Sequence, residues 1–152
     1  LVVDAAGAPL RAALEEGVFL TKPSRSELAH RVGASHDLAP DEHLTAVSEI
    51  VRTGRAEIVA LTLGAAGALI VSKDGALRLP APEVTVLSAV GAGDAFLAGL
   101  VLRLAQGASL SDAFRTAVAA GTATSMRPGT ELCTLEDVVA LEDLLSPAVT
   151  PS

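Results

Sequence analysis

The residues best suited to chemistry lie where a glycine turn meets a long apolar segment. Gly91 and Gly93 come just before a run of helix-forming residues, and Asp94 is the only charged residue between Gly93 and Arg103. A glycine turn leaves the first backbone N–H groups of a helix bare, and these groups can bind a phosphate. The helix dipole also stabilises a carboxylate in the first turn. An anion cradle beside a base is what phosphoryl transfer to an alcohol requires.

A purely structural interpretation accounts for the same residues. The glycines would form the turn into a helix that is apolar nearly all round and therefore expected to be buried. Asp94 would then be an ordinary first-turn carboxylate. A short glycine-rich turn is a weak motif, so the residues alone leave both interpretations open. A dinucleotide-binding turn fits less well, because it requires a third small residue where this chain has Phe96.

Composition limits the class of protein. The 152 residues are 50% hydrophobic and 19% charged, which predicts a single globular domain with a substantial core. Aromatic residues make up only 2%, so Leu, Val, Ile and Ala must form that core. The net charge of −7 argues against nucleic acid and anionic membranes as partners. No apolar run has the length of a membrane span and no signal peptide is recognisable, which predicts a cytoplasmic protein.

The cysteine and histidine residues show no metal-site pattern. Cys133 is the single cysteine, which excludes an internal disulfide and predicts a buried, unreactive thiol. His30, His36 and His43 lack metal-ligand spacing and are expected on the surface. The chain opens at Leu1 within a predicted strand and without an initiator Met, which suggests a fragment.

Short Val, Ile and Leu runs alternate with capped helices along the chain. This alternation predicts a three-layer α/β fold, with a mostly parallel sheet between helices and an antiparallel edge after the turn at 73–75. The predicted strands cover residues 1–3 (buried), 18–20, 58–63, 68–72 and 84–87. Helices are expected to begin with Pro9 at the first helical position, at the Ser24 cap, at Pro40, after Gly91, and at the Ser109 and Thr134 caps. The tail from 146 to 152 is expected to be frayed.

Four stretches together resemble the PfkB (ribokinase-like) family of sugar kinases. G-A-G-D-A-F-L-A-G at 91–99 resembles the second signature of that family. K-P-S-R-S-E-L from Lys22, T-L-G-A-A-G-A from Thr62 and G-T-E-L-C-T from Gly129 fit at the expected positions. The resemblance covers almost the whole chain but only the C-terminal half of the family's proteins. It implies a ribokinase-like fold, with residues 1–152 as the nucleotide-binding and catalytic half.

The resemblance also implies roles for individual residues. Asp94 would take the proton from the sugar hydroxyl that attacks the γ-phosphorus of ATP. The backbone amides of Ala92, Gly93 and Asp94, which follow the turn at Gly91, would stabilise the charge that develops on the transferred phosphoryl group. The implied nucleotide-binding residues are Lys22, Ser24, Thr62, Gly64, Gly67, Val118 and Thr122. Without the family, Lys22 could simply be solvated, and the glycines at 64 and 67 could serve turn geometry alone.

Two kinds of metal ion are implied by the resemblance. Mg²⁺ would bridge the phosphates, and the family places an Asn-x-x-Glu motif near it; here Ser24 replaces the Asn while Glu27 is kept. Ser-x-x-Glu is also a helix capping box, and both roles can hold together. A monovalent cation, K⁺, would lie near the anion cradle, largely on backbone oxygens of Ser88, Val90, Thr124, Arg127, Gly129 and Glu131.

The implied function is ATP-dependent phosphorylation of a sugar phosphate. The ending G-T-E-L-C favours fructose 6-phosphate, with fructose 1-phosphate or tagatose 6-phosphate as alternatives and a non-catalytic nucleotide-binding remnant as an alternative class. Sugar recognition in the family lies mostly in the N-terminal half. Residues 1–152 alone are therefore expected not to phosphorylate sugars at a useful rate. A homo-oligomer of the full-length protein is compatible with this function.

Overall fold

The computed structural model describes residues 1–34 and 38–145 of the chain. These residues group into two compact units. The first contains residues 1–63 and 68–78, and the second contains residues 64–67 and those from Leu79 onward. His36 and the tail 146–152, for which surface exposure and fraying were expected, lie outside the described residues. None of the described helices has the length and apolar character needed to span a membrane.

Five strands form one mixed sheet in the order β1-β2-β3-β4-β5. Their bounds are β1 Val2–Val3, β2 Val18–Thr21, β3 Ala56–Thr62, β4 Ala68–Ser72 and β5 Gly75–Leu79. The first three strands are parallel, with Leu20 opposite both Val2 and Ile58, and β4 pairs with β3 in the antiparallel direction. This arrangement confirms the predicted α/β class with an antiparallel edge.

Three helices connect the parallel strands of the first unit. They are α1 (Gly7–Glu16), α2 (Arg25–Arg31) and α3 (Pro40–Arg52). Their apolar faces pack with β3 and β4 in one core, which includes Leu14, Leu28, Ile50, Val59 and Val71. Aliphatic side chains thus fill this core, as the scarcity of aromatic residues required.

The second unit contains three α-helices among the described residues. They are α4 (Ala92–Ala105), α5 (Leu110–Ser125) and α6 (Leu135–Leu144). Small residues bring α4 and α5 close together, since a Cβ added at Gly99 would lie only 3.3 Å from the Cβ of Ala120. The rings of Phe96 and Phe114 meet edge to face with centroids 6.3 Å apart, which adds an aromatic contact to the helix pair.

Three sequence predictions about the sheet and its neighbourhood were wrong. Residues 84–87 form no strand, because the Leu87 N–H donates to the Ser125 carbonyl (2.8 Å) at the end of α5 instead of joining a ladder. The strand at the start of the chain is not buried: Val2 is 37% exposed and Val3 is partly exposed, since β1 lies at the edge of the sheet with β2 as its neighbour. Pro9 is the third residue of α1 and not the first, because the helix begins at Gly7.

Three predictions about burial were also wrong. In α4 only Phe96 and Leu100 are buried, because one stripe of the helix faces α5, and Leu102 on another side is 57% exposed. His43 is buried because it shares the inward face of α3 with Val47 and Ile50, at helical spacing. Cys133 is partly exposed, because it lies in the loop that leads into α6.

The start of α6 offers a test by pH titration. Asp137 accepts the N–H and the hydroxyl of Thr134 (both 2.9 Å) and also contacts the Arg127 guanidinium. The Thr134 N–H, then Arg127 and the Thr134 hydroxyl, lower the pKa of Asp137 to about 2. Because the pKa is lower in the folded state, the stability that Asp137 contributes is complete above about pH 4 and is lost as pH falls through about 2.

NMR titration of the Asp137 carboxyl carbon should therefore give a pKa of about 2. Arg127→Gln should raise that pKa only in part, because the Thr134 N–H still donates. Arg103→Gln, a change of the same charge on α4, should leave it unchanged. A pKa of Asp137 near the value of a free aspartate would contradict these contacts.

Candidate functional site

The glycine turn at the start of α4 has the geometry that an anion cradle needs. Gly91 caps the helix with φ of 78°, in the left-handed region that favours glycine. The first bond of the helix runs from the Ala95 N–H to the Gly91 carbonyl at 2.9 Å. The N–H groups of Gly93 and Asp94 precede this bond and have no acceptor within the helix. The Ala92 N–H, which was also predicted to be bare, makes a long contact of 3.4 Å with the Ala89 carbonyl.

Asp94 is exposed at the third position of α4 and makes no hydrogen bond or ion pair with other residues that the structure describes. Acidic residues hold the same position in α2, α3, α5 and α6, and each of those carboxylates bonds back to its own cap residue. The bonds are Glu27 to the Ser24 N–H (2.7 Å), Glu42 to the Ala39 N–H (2.7 Å), Asp112 to the Ser109 hydroxyl (2.7 Å) and Asp137 to the Thr134 N–H (2.9 Å).

Asp94 therefore differs from every other acidic residue at this helical position among the described helices. Gly91 has no side chain to share a capping box, and its left-handed backbone replaces the extended conformation that the other caps adopt. The Asp94 carboxylate is left available to accept a proton from a ligand beside the bare amides. This is the arrangement of a general base next to an anion site.

Helix α5 packs closely against the first turn of α4, where the anion cradle lies. A Cβ added at Gly121 would lie 3.0 Å from the Ala92 carbonyl oxygen and 3.3 Å from the Cβ of Phe96. Only glycine allows the first turn of α4 to approach α5 so closely. Gly121 lies between Val118 and Thr122, which were predicted to bind the nucleotide, and its packing role depends on the contact between α4 and α5.

The residues predicted for a monovalent cation lie around the same turn. The Ser88 hydroxyl donates to the Gly129 carbonyl (2.8 Å) and accepts the Val90 N–H (3.2 Å). Thr124 is 1% exposed, its methyl group lies 3.8 Å from the position of a Cβ at Gly91, and its hydroxyl has no hydrogen-bond partner among the described residues. A buried hydroxyl without a partner fits an oxygen ligand of K⁺.

Arg127 and Glu131 were also predicted for the cation site, and polar groups of both bond to other residues. The Arg127 guanidinium pairs with Asp137, so only the backbone of Arg127 is free for a cation. The Glu131 N–H donates to the Pro128 carbonyl at 3.2 Å, which closes the turn before α6.

In the first unit, Lys22, Ser24 and Thr62 lie together at the carboxyl ends of β2 and β3. Ser24 and Thr62 form an isolated parallel bridge, and Ser24 caps α2 by accepting the Glu27 N–H at 3.4 Å. The capping box predicted for Ser24 and Glu27 is confirmed. One oxygen of Glu27 is occupied in that box, and the second makes no hydrogen bond within the described chain, so it can still meet a hydrated Mg²⁺.

Lys22 is buried, with its Nζ 3.2 Å from Oδ2 of Asp4, so the alternative of a solvated lysine was wrong. Asp4 follows β1 and Lys22 follows β2, and the ends of adjacent parallel strands meet at one edge of a sheet. Sequence reasoning missed Asp4, although that rule could have found it.

The remaining predicted nucleotide-binding residues belong to the second unit. Gly64 begins a short 3₁₀ turn, and the Gly67 N–H closes it by donating to the Gly64 carbonyl at 3.0 Å. Val118 and Thr122 are buried in α5, with 3% and 8% of their surface exposed. Their side chains thus have little free surface for a nucleotide, and their role stays a prediction.

Solved structures that resemble this chain define the class of protein. Phosphofructokinase-2 from Escherichia coli, solved with substrates and products, aligns with a TM-score of 0.89 at 38% identity, over 95% of this chain and 47% of that one. Ribokinase from Arabidopsis thaliana aligns with a TM-score of 0.78 over 93% of this chain and 46% of its own, and at 21% identity it shows the fold alone. The fold is that of the ribokinase-like kinases.

The family assignment comes from the sequence match. The family model described as pfkB family carbohydrate kinase matches residues 1–137, and the chain belongs to this family. The predicted family and fold are confirmed.

Individual relatives include two kinds of phosphofructokinase. The ATP-dependent 6-phosphofructokinase isozyme 2 of Escherichia coli is 39% identical over 95% of this chain and 47% of its own. That of Mycobacterium tuberculosis is 40% identical over 91% of this chain and 40% of its own. The 1-phosphofructokinase of Borreliella burgdorferi is 35% identical over 91% of this chain and 44% of its own. The chain thus spans less than half the length of these relatives.

Proposed function

We propose that residues 1–152 are the nucleotide-binding and catalytic half of an ATP-dependent sugar-phosphate kinase. The observation that carries the proposal is the carboxylate of Asp94, which is exposed, has no partner among the described residues and lies beside the bare amides of Gly93 and Asp94 itself. A carboxylate used only to cap a helix would bond back to its cap residue, as the other four do. Membership of a carbohydrate kinase family supports the same activity.

In the proposed reaction a sugar hydroxyl oxygen attacks the γ-phosphorus of ATP. Its proton passes to the Asp94 carboxylate, the bond from the γ-phosphorus to the β–γ bridging oxygen breaks, and ADP leaves with that oxygen. The N–H groups of Gly93 and Asp94 stabilise charge on the transferred phosphoryl group. Mg²⁺ that arrives with ATP supplies further neutralisation, and the free oxygen of Glu27 is suited to its hydration shell.

Nucleotide contacts are assigned to two groups of residues. Lys22, Ser24 and Thr62 form one group at the strand ends, and the turn from Gly64 to Gly67 forms the other. Lys22 is paired with Asp4, so its ammonium group would contact a phosphate while it also remains in that ion pair. K⁺ is proposed near Thr124, whose buried hydroxyl has no partner within residues 1–34 and 38–145, and phosphofructokinase-2 from Escherichia coli has been solved in complex with potassium.

The proposed substrate is fructose 6-phosphate. Identity is 39% and 40% with two 6-phosphofructokinases, against 31% to 37% with the 1-phosphofructokinases. This difference supports fructose 6-phosphate over fructose 1-phosphate, and tagatose 6-phosphate is kept as a further alternative. A cytoplasmic location suits a protein that uses ATP and a sugar phosphate, and the tetrameric inhibited form of the Escherichia coli enzyme supports a homo-oligomer for the complete protein.

A substrate panel tests this proposal. The complete protein should release ADP with ATP, Mg²⁺ and fructose 6-phosphate, with a higher kcat/KM than with fructose 1-phosphate or tagatose 6-phosphate. A higher kcat/KM with fructose 1-phosphate would overturn the substrate assignment. Nucleotide binding without ADP release for any of the three sugars would instead support the non-catalytic remnant.

A further inference from the structure

A cleft of about 710 Å³ opens in the first unit beside the end of α2 and one face of α3. Its apolar floor includes Val32, Leu38 and Ile50. Two arginines line its walls: Arg31 is the last residue of α2, and Arg55 precedes β3. The volume is in the range of small-molecule sites in proteins.

Both arginines line the same cleft. Neither Arg31 nor Arg55 makes a hydrogen bond or an ion pair with any residue in the described part of the chain. They lie close enough for their charges to act on each other: burial, and after it the charge of Arg55, lowers the pKa of the Arg31 guanidinium. Two like charges at one cleft repel each other, and an anion bound between them would relieve that repulsion.

Among the described residues, no acidic side chain that lines the cleft forms a hydrogen bond or an ion pair with either arginine. Glu49 is held by Arg52 through two hydrogen bonds of 2.8 and 2.7 Å, and the charge of Arg55 acts on it more weakly than Arg52 does. Glu42 bonds to the Ala39 N–H at 2.7 Å in the capping box of α3. Asp41 is exposed in the first turn of α3, where the helix dipole already favours its charge.

We propose that this cleft binds a small phosphorylated metabolite, with its phosphate between Arg31 and Arg55 and its carbon skeleton on the apolar floor. A phosphate monoester carries close to two negative charges at neutral pH and therefore matches two guanidinium groups. Each guanidinium can donate two parallel hydrogen bonds to phosphate oxygens. The cleft uses none of the residues assigned above to phosphoryl transfer, so the proposal is independent of the proposed function. It gives the kinase an effector site in its first unit.

Thermal unfolding of the complete protein with added anions tests the site. Inorganic phosphate and glycerol 1-phosphate are the probes, and sodium chloride at equal ionic strength is the reference. Both probes should raise Tm above the reference, as expected for a ligand that binds only the folded state. Arg31→Gln with Arg55→Gln should remove most of that increase, with affinity falling roughly tenfold for each arginine lost. Arg11→Gln, an exposed change of the same charge on α1, should keep it.

Two results would overturn the proposal. One is an equal increase of Tm in the double variant and in Arg11→Gln, because the phosphate would then bind elsewhere, for example at the amides after Gly91. The other is no increase above sodium chloride in the unsubstituted protein. Folding of the double variant is not expected to fail, since removing two charges that repel each other should not lower Tm without ligand. The single variant Arg55→Gln, at an exposed position, gives the same comparison with the least disturbance.

Discussion

Asp94→Asn in the complete protein should lower kcat by a factor on the order of 10² to 10⁴, the usual contribution of a general base. The amide keeps the size of the side chain but cannot take up the proton of the attacking hydroxyl. The KM for ATP should change little, because the groups that face the phosphate are the backbone amides of Gly93 and Asp94. Steady-state rates of ADP release at saturating ATP measure the effect.

Asp112→Asn is the matched control, because Asp112 holds the same position in α5 but bonds to the Ser109 hydroxyl. Both variants lose a carboxylate that the helix dipole favours, worth about 0.3–1 kcal/mol. Asp112→Asn also weakens a cap, so it should lower Tm more than Asp94→Asn while leaving kcat unchanged. If Asp94→Asn behaves like Asp112→Asn in both measurements, Asp94 is only a helix-terminal charge and the proposed function loses its main support.

The sequence predicts well those structural elements that depend on contacts between residues a few positions apart in the chain. The caps at Ser24, Ser109 and Thr134 formed as expected, because a short polar side chain reaches an N–H only three residues away. The missing strand at 84–87 shows the limit of this reasoning. An apolar run becomes a strand only if a neighbouring strand is free to pair, and the backbone of Leu87 bonds to the end of α5 instead.

The burial of side chains was likewise predictable where residues close together in the sequence decide it, and not where a distant element decides it. The inward position of His43 was predictable, since Val47 and Ile50 lie four and seven residues further along the helix. The exposure of Leu102 was not, because α4 is apolar on several sides and its partner α5 covers only one of them.

The candidate site was predictable in its residues but not in its central feature. The glycine turn and its carboxylate can be identified from sequence spacing and family resemblance. Asp94 bonds to no other residue in the described part of the chain, while acidic residues at the same position in four other helices bond to their caps, and this difference depends on the φ of Gly91 and the absence of a side chain there. The ion pair of Lys22 with Asp4 joins residues from two adjacent strands, so it required the sheet order as well.

Gly67→Ala should destabilise the protein severely, by about 3 kcal/mol or more, because two separate costs add. Gly67 has φ of 91°, a conformation that residues with a Cβ rarely adopt. A Cβ at this position would also lie 1.9 Å from the Leu79 carbonyl oxygen and 2.7 Å from both the Ala81 nitrogen and the Pro80 carbonyl carbon. All three are backbone atoms, so no side-chain rotation can relieve the overlap. Denaturant unfolding measures the loss.

Gly64→Ala separates the two costs and tests the nucleotide role of the same turn. Gly64 has φ of 61° but no atom within 4 Å of an added Cβ, so its substitution should cost only the backbone strain, roughly 1–2 kcal/mol. Equal losses of stability in the two variants would mean that the backbone around Leu79 moves aside and that the close approach is not required. Because Gly64→Ala should still fold, its KM for ATP reports on the loop itself. A raised KM for ATP with an unchanged KM for the sugar would support the nucleotide-binding loop, whereas unchanged constants for both would leave the glycine at position 64 with a turn-forming role only.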